Sequence, residues 1–153
     1  MKQVLNPFLI VGTLCATLFL SACEEVDLDD TYVLSGTASG SQEVPPVGSA
    51  GSGMLTGTYD ADDNLLQYSI TWTGLTGPAS AIHFHGPAAA GANAGPIHTL
   101  TIINNGTAGS AGGNITIADS TETYLLSGRI YYNIHTAANP NGEIRGQVSA
   151  TNE

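Results

Sequence analysis

From Thr31 to Ala150 apolar residues recur at every second position in short runs, and glycine, proline, asparagine or aspartate breaks the chain between runs. Period two puts alternate side chains on opposite faces of a β-strand. The clearest run, "NLLQYSITWTG", sets Leu66, Tyr68, Ile70 and Trp72 on one face and Leu65, Gln67, Ser69 and Thr71 on the other, so the first set is expected in the core. "SGRIYYNIHT" places Ile130, Tyr132 and Ile134 inward, with Tyr131, Asn133 and His135 on the opposite face. In "GEIRGQVSA", Ile144 and Val148 face inward while Arg145 and Gln147 face outward. Further strands are expected in "YVLSGTA", "GMLTGTYD", "AIHFH", "IHTLTII" and "NITIA". Together they predict an all-β fold, an antiparallel sandwich or barrel of about eight strands. Nineteen glycines and many β-branched residues argue against helices.

Composition divides the chain before that pattern begins. "MKQVLNPFLIVGTLCATLFLSAC" carries Lys2, an apolar stretch from Phe8 to Leu20 and then small residues, which is the layout of a secretory signal. The stretch is short for a spanning helix, which takes about 20 residues. Leu20-Ser21-Ala22-Cys23 resembles the lipobox of bacterial lipoproteins, in which the cysteine is lipidated and becomes the N-terminus. Cleavage after Ala22 as an ordinary signal gives the same export without the anchor. The expected organisation is a signal peptide over 1–22, an acidic tether over 23–30 and one domain over 31–151. The tether's five carboxylates, Glu24, Glu25, Asp27, Asp29 and Asp30, hold the domain off a membrane. The protein is thus expected outside the cytoplasm, on the outer membrane or cell surface, attached through Cys23.

Without residues 1–22, Arg129 and Arg145 are the only strong bases against 13 carboxylates, a formal charge of −11. Such a surface repels phosphate backbones, which excludes nucleic-acid binding. Cys23 is then the one cysteine left, so no intrachain disulfide or thiolate metal site is available. No Gly-x-Ser-x-Gly elbow, phosphate loop or Schiff-base lysine is present.

The four histidines carry the remaining chemistry. If "AIHFH" is a strand with Ile82 and Phe84 inward, His83 and His85 project together from the other face, as a chelating pair requires. His98 follows "GPAAAGANAGP", whose glycines and prolines let the chain turn back and return a third imidazole. His135 lies on an outward face and is the fourth candidate. Imidazoles without thiolate or thioether neighbours suit copper, zinc, nickel or iron. The same residues equally fit polar outward positions satisfied by water or carbonyls. Glu43 in "QEVPP" and Arg145 in "GEIRGQ" are expected to form a structural ion pair fixing loop against strand. Asn139-Pro140-Asn141-Gly142 reads as a hairpin turn.

"SGSQEVPPV" at 39–47, "AIHFHGPAAAGANAGPI" at 81–97 and "GRIYYNIHTAANPNGEIRGQV" at 128–148 together resemble the CHRD domain, the module named after chordin and found in bacterial exported proteins. The order His-x-His, loop histidine, late-strand histidine is more distantly similar to the copper ligands of Cu/Zn superoxide dismutases, themselves Greek-key sandwiches. These resemblances imply a Greek-key, superoxide-dismutase-like or immunoglobulin-like β-sandwich with copper held by His83, His85, His98 and His135. No zinc site is expected, because no histidine or acid follows His98 before Asp119. Three function classes result: an exported metal-binding domain used for copper sequestration, delivery or resistance; a non-catalytic interaction module without metal; and a dismutase-like copper redox enzyme. A non-catalytic role fits better, since a strongly acidic surface slows an anionic substrate.

Overall fold

The computed structural model describes residues 30–152, so the expected signal, Cys23 and the tether up to Asp29 lie outside the described residues. Ten strands and one helix follow in order: β1 (Thr31–Ser39), β2 (Ser52–Asp60), β3 (Leu65–Thr73), β4 (Ala79–His85), β5 (Pro96–Thr99), β6 (Ile102–Asn104), β7 (Gly109–Thr116), α1 (Asp119–Leu126), β8 (Tyr131–Thr136), β9 (Ile144–Gln147) and β10 (Ser149–Asn152). They form one antiparallel sheet in the order β5-β4-β8-β9-β1-β2-β3-β7-β6, with β10 also paired to β1. The all-β expectation holds, as a single sheet curled into a half-barrel. The curl is visible in the chain itself. β5 and β6 are separated only by Leu100 and Thr101, yet they occupy opposite ends of the sheet. That link stitches the open side, with Leu100 N–H donating to Ile82 O at 2.8 Å and Thr101 N–H to the Tyr68 hydroxyl at 3.0 Å.

Two strands more than expected arise because two predicted runs each serve two neighbours. "IHTLTII" splits into β5 on the β4 edge and β6 on the β7 edge, and "GEIRGQVSA" breaks at Val148 into β9 beside β8 and β10 beside β1. Alternation itself is obeyed: Leu66, Tyr68, Ile70 and Trp72 are buried along β3, facing Ile82, Phe84, Tyr132, Ile134 and Ile144 across the core. Tyr68 meets Phe84 edge-on with ring centroids 5.7 Å apart, joining strands that are not sheet neighbours.

α1 corrects the expectation of an all-strand domain. Asp119 and Glu122 lie in its first turn, where carboxylates favour the N-terminus, and Leu125 is its buried contact with the core. Gly128, at φ +66°, ends it with its N–H bonded to Leu125 O at 3.1 Å, a left-handed position that favours glycine. These start and stop signals stand in the sequence, overshadowed by the surrounding glycines and threonines.

All six residues of β8 are buried. Tyr132 and Ile134 belong to the apolar core, so Tyr131, Asn133 and His135 must be covered from the other side. The covers are the loops 40–47 and 86–95, latched together by the Asn93 amide donating to Val44 O at 2.9 Å. The face expected to be outward is therefore a second, polar interior.

Candidate metal centre

Strand phase and register assemble the site. β4 carries His83 and His85 on the face away from the core; β8 pairs beside it with Ala81 opposite His135, His83 opposite Asn133 and His85 opposite Tyr131. Opposed residues project to the same side, and a step of two along each strand brings the three imidazoles together. Ring centroids lie 4.8 Å apart for His83 and His135, 5.6 Å for His83 and His85, and 6.3 Å for His85 and His135. One nitrogen from each ring falls within 4.8 Å of the others. Nitrogens sharing one ion at about 2.0–2.1 Å stand no more than about 4 Å apart, so a small ring rotation closes the set.

Hydrogen bonds select the nitrogens that face inward. His135 Nδ1–H donates to Pro140 O at 2.9 Å and His85 Nδ1–H donates to Ala94 O at 2.9 Å. Because a carbonyl can only accept, both rings carry a proton on Nδ1, and in the neutral form this leaves Nε2 as a lone pair. His135 Nε2 lies 3.0 Å from His83 Nδ1, whereas His85 Nε2 is buried with no hydrogen-bond partner. Metal-binding histidines are oriented in this way, with the second nitrogen on a backbone carbonyl. Burial lowers the pKa of His83, and the neighbouring His85 adds to that. Burial likewise lowers His135, outweighing the Pro140 hydrogen bond, with His83 and His85 contributing repulsion. Both rings are therefore held neutral, as ligation demands.

His98 is not in the cluster. The loop after β4 does turn the chain back, but it returns as β5 with His98 opposite Phe84. That register puts its side chain on the Phe84 side of the sheet, away from His83 and His85. Glu43 and Arg145, the expected ion pair, attract each other, and Glu43 Oε1 has no hydrogen-bond partner. The guanidinium is engaged elsewhere. Buried at 1 % exposure, it donates through Nη2 to Ala92 O at 2.7 Å and through Nη1 to Asn93 Oδ1 at 3.2 Å, with Cζ 3.4 Å from the Tyr131 ring centroid. Glu43 has an unpartnered buried Oε1, and burial pushes its pKa up to about 6 against the attraction of Arg145. Gly142, at φ +124°, leaves it room: a Cβ there would collide with Glu43 Oε1 and stand 2.7 Å from Asn133 Nδ2.

Glu143 is a residue that alternation did not single out. Fully buried, it accepts from Ser49 Oγ at 2.7 Å, Thr76 N at 2.8 Å, Thr76 Oγ1 and Thr136 Oγ1 at 2.6 Å each, and Asn139 Nδ2 at 3.2 Å. Burial alone would raise its pKa; the donors from Thr136, Thr76 and Ser49 overcome this and hold it at about 2. It ties the β1–β2, β3–β4 and β8–β9 connections together. Its partners lie too far apart in sequence for any local signal to mark them.

A curled antiparallel β-domain with three clustered imidazoles, two buried and one half-buried, on a roofed polar face is the class these features define. The chain belongs to the CHRD family: the model of the CHRD domain matches residues 34–148, a span that contains all three histidines and both covering loops. Neither the curated proteins nor the solved structures compared with the chain gave a match.

Proposed function

We propose that this protein is an exported, lipid-anchored CHRD domain that binds one transition-metal ion, copper, through His83, His85 and His135, in sequestration, delivery or resistance. One observation carries the reading. Two of three converging imidazoles have Nδ1 fixed on backbone carbonyls, and the inward Nε2 of His85 is buried without a partner. A buried acceptor left unpaired costs about 1–3 kcal/mol, and an ion shared by three nitrogens removes that cost. No sulfur ligand belongs to the group, and among divalent ions copper stands highest for nitrogen donors. Leu20-Ser21-Ala22-Cys23 and the acidic residues after it support export and attachment at Cys23.

Copper titration followed by spin resonance tests the site. The parent takes up one ion with three nitrogen ligands, alanine at His83, His85 or His135 abolishes tight binding, and His98→Ala leaves it intact. Tight uptake that survives the joint loss of His83 and His85 refutes this reading. Fractionation of Cys23→Ser tests the anchor, since that variant should leave the membrane fraction.

A further inference from the structure

We infer that Tyr131, Arg145 and the loop 86–95 form one positioning device that fixes which nitrogen of His85 faces the metal. The inference rests on the metal reading above and adds what controls the site. Ala94 is its hinge point. The Ala94 carbonyl accepts from both His85 Nδ1–H at 2.9 Å and the Tyr131 hydroxyl at 3.1 Å, and the Ala94 N–H donates back to that hydroxyl at 3.3 Å. The Tyr131 ring stacks on the His85 ring at 4.8 Å with 7° between the planes. Hydroxyl and ring thus hold the carbonyl that sets the tautomer and the plane of the imidazole itself.

Arg145 completes the device from the next strand. Its guanidinium sits against the Tyr131 ring and donates to Ala92 and Asn93, so three consecutive loop residues are held by side chains of β8 and β9. The loop, Gly-Pro-Ala-Ala-Ala-Gly-Ala-Asn-Ala-Gly, has almost no side chains with which to pack itself. Around Ala92, Asn93 and Ala94 its order depends on these contacts, because each ordered backbone residue costs about 1–2 kcal/mol of conformational entropy, while Gln147 and the Arg129 carbonyl hold Ala88. A planar guanidinium is suited to a ring face and carbonyls at once; an ammonium is not. If the clasp opens, His85 samples both neutral tautomers and its Nε2 lone pair is presented only part of the time, which lowers apparent affinity by that fraction. Loss of such an outer partner weakens metal binding about tenfold to a hundredfold.

Imidazole nitrogen resonances of the metal-free, full-length chain in detergent read the tautomer directly, and copper titration of the same samples reads the consequence. The parent should show His85 protonated at Nδ1 alone. Tyr131→Phe, which keeps the stacking ring, should move both His85 resonances toward tautomer averages and raise the copper Kd about tenfold. Asn93→Ala, at an exposed position, should act in the same direction by roughly threefold and serves if Tyr131→Phe fails to fold. Unchanged His85 resonances in both variants overturn the inference. A tautomer shift on Tyr131→Phe in a chain that takes up no copper supports the clasp and removes the metal reading instead.

Discussion

Glu143 lies in the β8–β9 connection and Glu43 packs against the neighbouring Gly142, yet one has a pKa of about 2 and the other of about 6. Burial acts against both charges. The difference is the number of donors: Glu143 accepts from a backbone N–H, three hydroxyls and an amide, whereas Glu43 has only Asn133 and the Val44 backbone to lower its pKa and keeps a buried oxygen without a partner. The same contrast separates the two regions to which they belong. Around Glu143 the donors and acceptors are matched, which is the mark of a structural knot. Beneath the loops 40–47 and 86–95, Glu43 Oε1, Asn133 Oδ1 and His85 Nε2 are all buried and unpaired. A fold retains such atoms at a cost, and a polar interior left incomplete in this way is what a binding site needs.

The sharpest way to break this comparison is to remove the knot. Glu143→Ala strands the Thr76 N–H and three hydroxyls, and it should lower stability by about 3 kcal/mol or more, read from the urea midpoint. Removing a site residue should disturb the fold less and binding more. His85→Ala gives up the stacking on Tyr131 and the hydrogen bond to Ala94 O but also deletes an unpaired acceptor, so it should cost the metal-free protein about 1–2 kcal/mol, while tight copper binding is lost. If His85→Ala is instead as damaging to stability as Glu143→Ala, the division between the regions fails.

The acids also predict opposite pH trends. Glu143, with its pKa lowered from 4.5 to about 2, contributes stability above pH 4.5 that is lost as pH falls toward 2. Glu43, raised from 4.5 to about 6, is easiest to bury below pH 4.5 and weakens the fold as pH rises through 6. Glu43→Gln should therefore gain about 1 kcal/mol over the parent at pH 8 and nothing at pH 4, as measured by thermal melts across pH. The smallest effect belongs to the imidazoles. Because burial lowers the pKa of His83 and His135, the metal-free parent should lose stability as pH drops below 6.5, and His135→Ala should blunt that loss by a few tenths of a kcal/mol.

Strand phase was legible in the sequence because it depends on neighbours two apart. It placed Trp72 and Phe84 in the core and His83, His85 and His135 together on the other face. The same rule hides what depends on pairing between distant segments. His98 was two-state until the register was known, since a shift of one residue in β5 reverses its face. Arg145 and Asn133 follow the expected alternation but not the expected exposure, because alternation assigns a face and cannot say whether a loop will cover it. α1 was lost for a different reason: one helical turn signal was outweighed by the average of a glycine-rich chain.

β8 also sets the tempo of the molecule. It is paired on both edges and covered on both faces, so its amides should exchange with solvent only when the whole domain unfolds. The roof beside it, from Gly86 to Gly95, has several exposed residues and few backbone bonds, and should open orders of magnitude more often. An ion bound between them would enter and leave by the roof while the strand bearing His135 keeps its shape. Residence time of such an ion and lifetime of the fold would then be two separate clocks in one small domain.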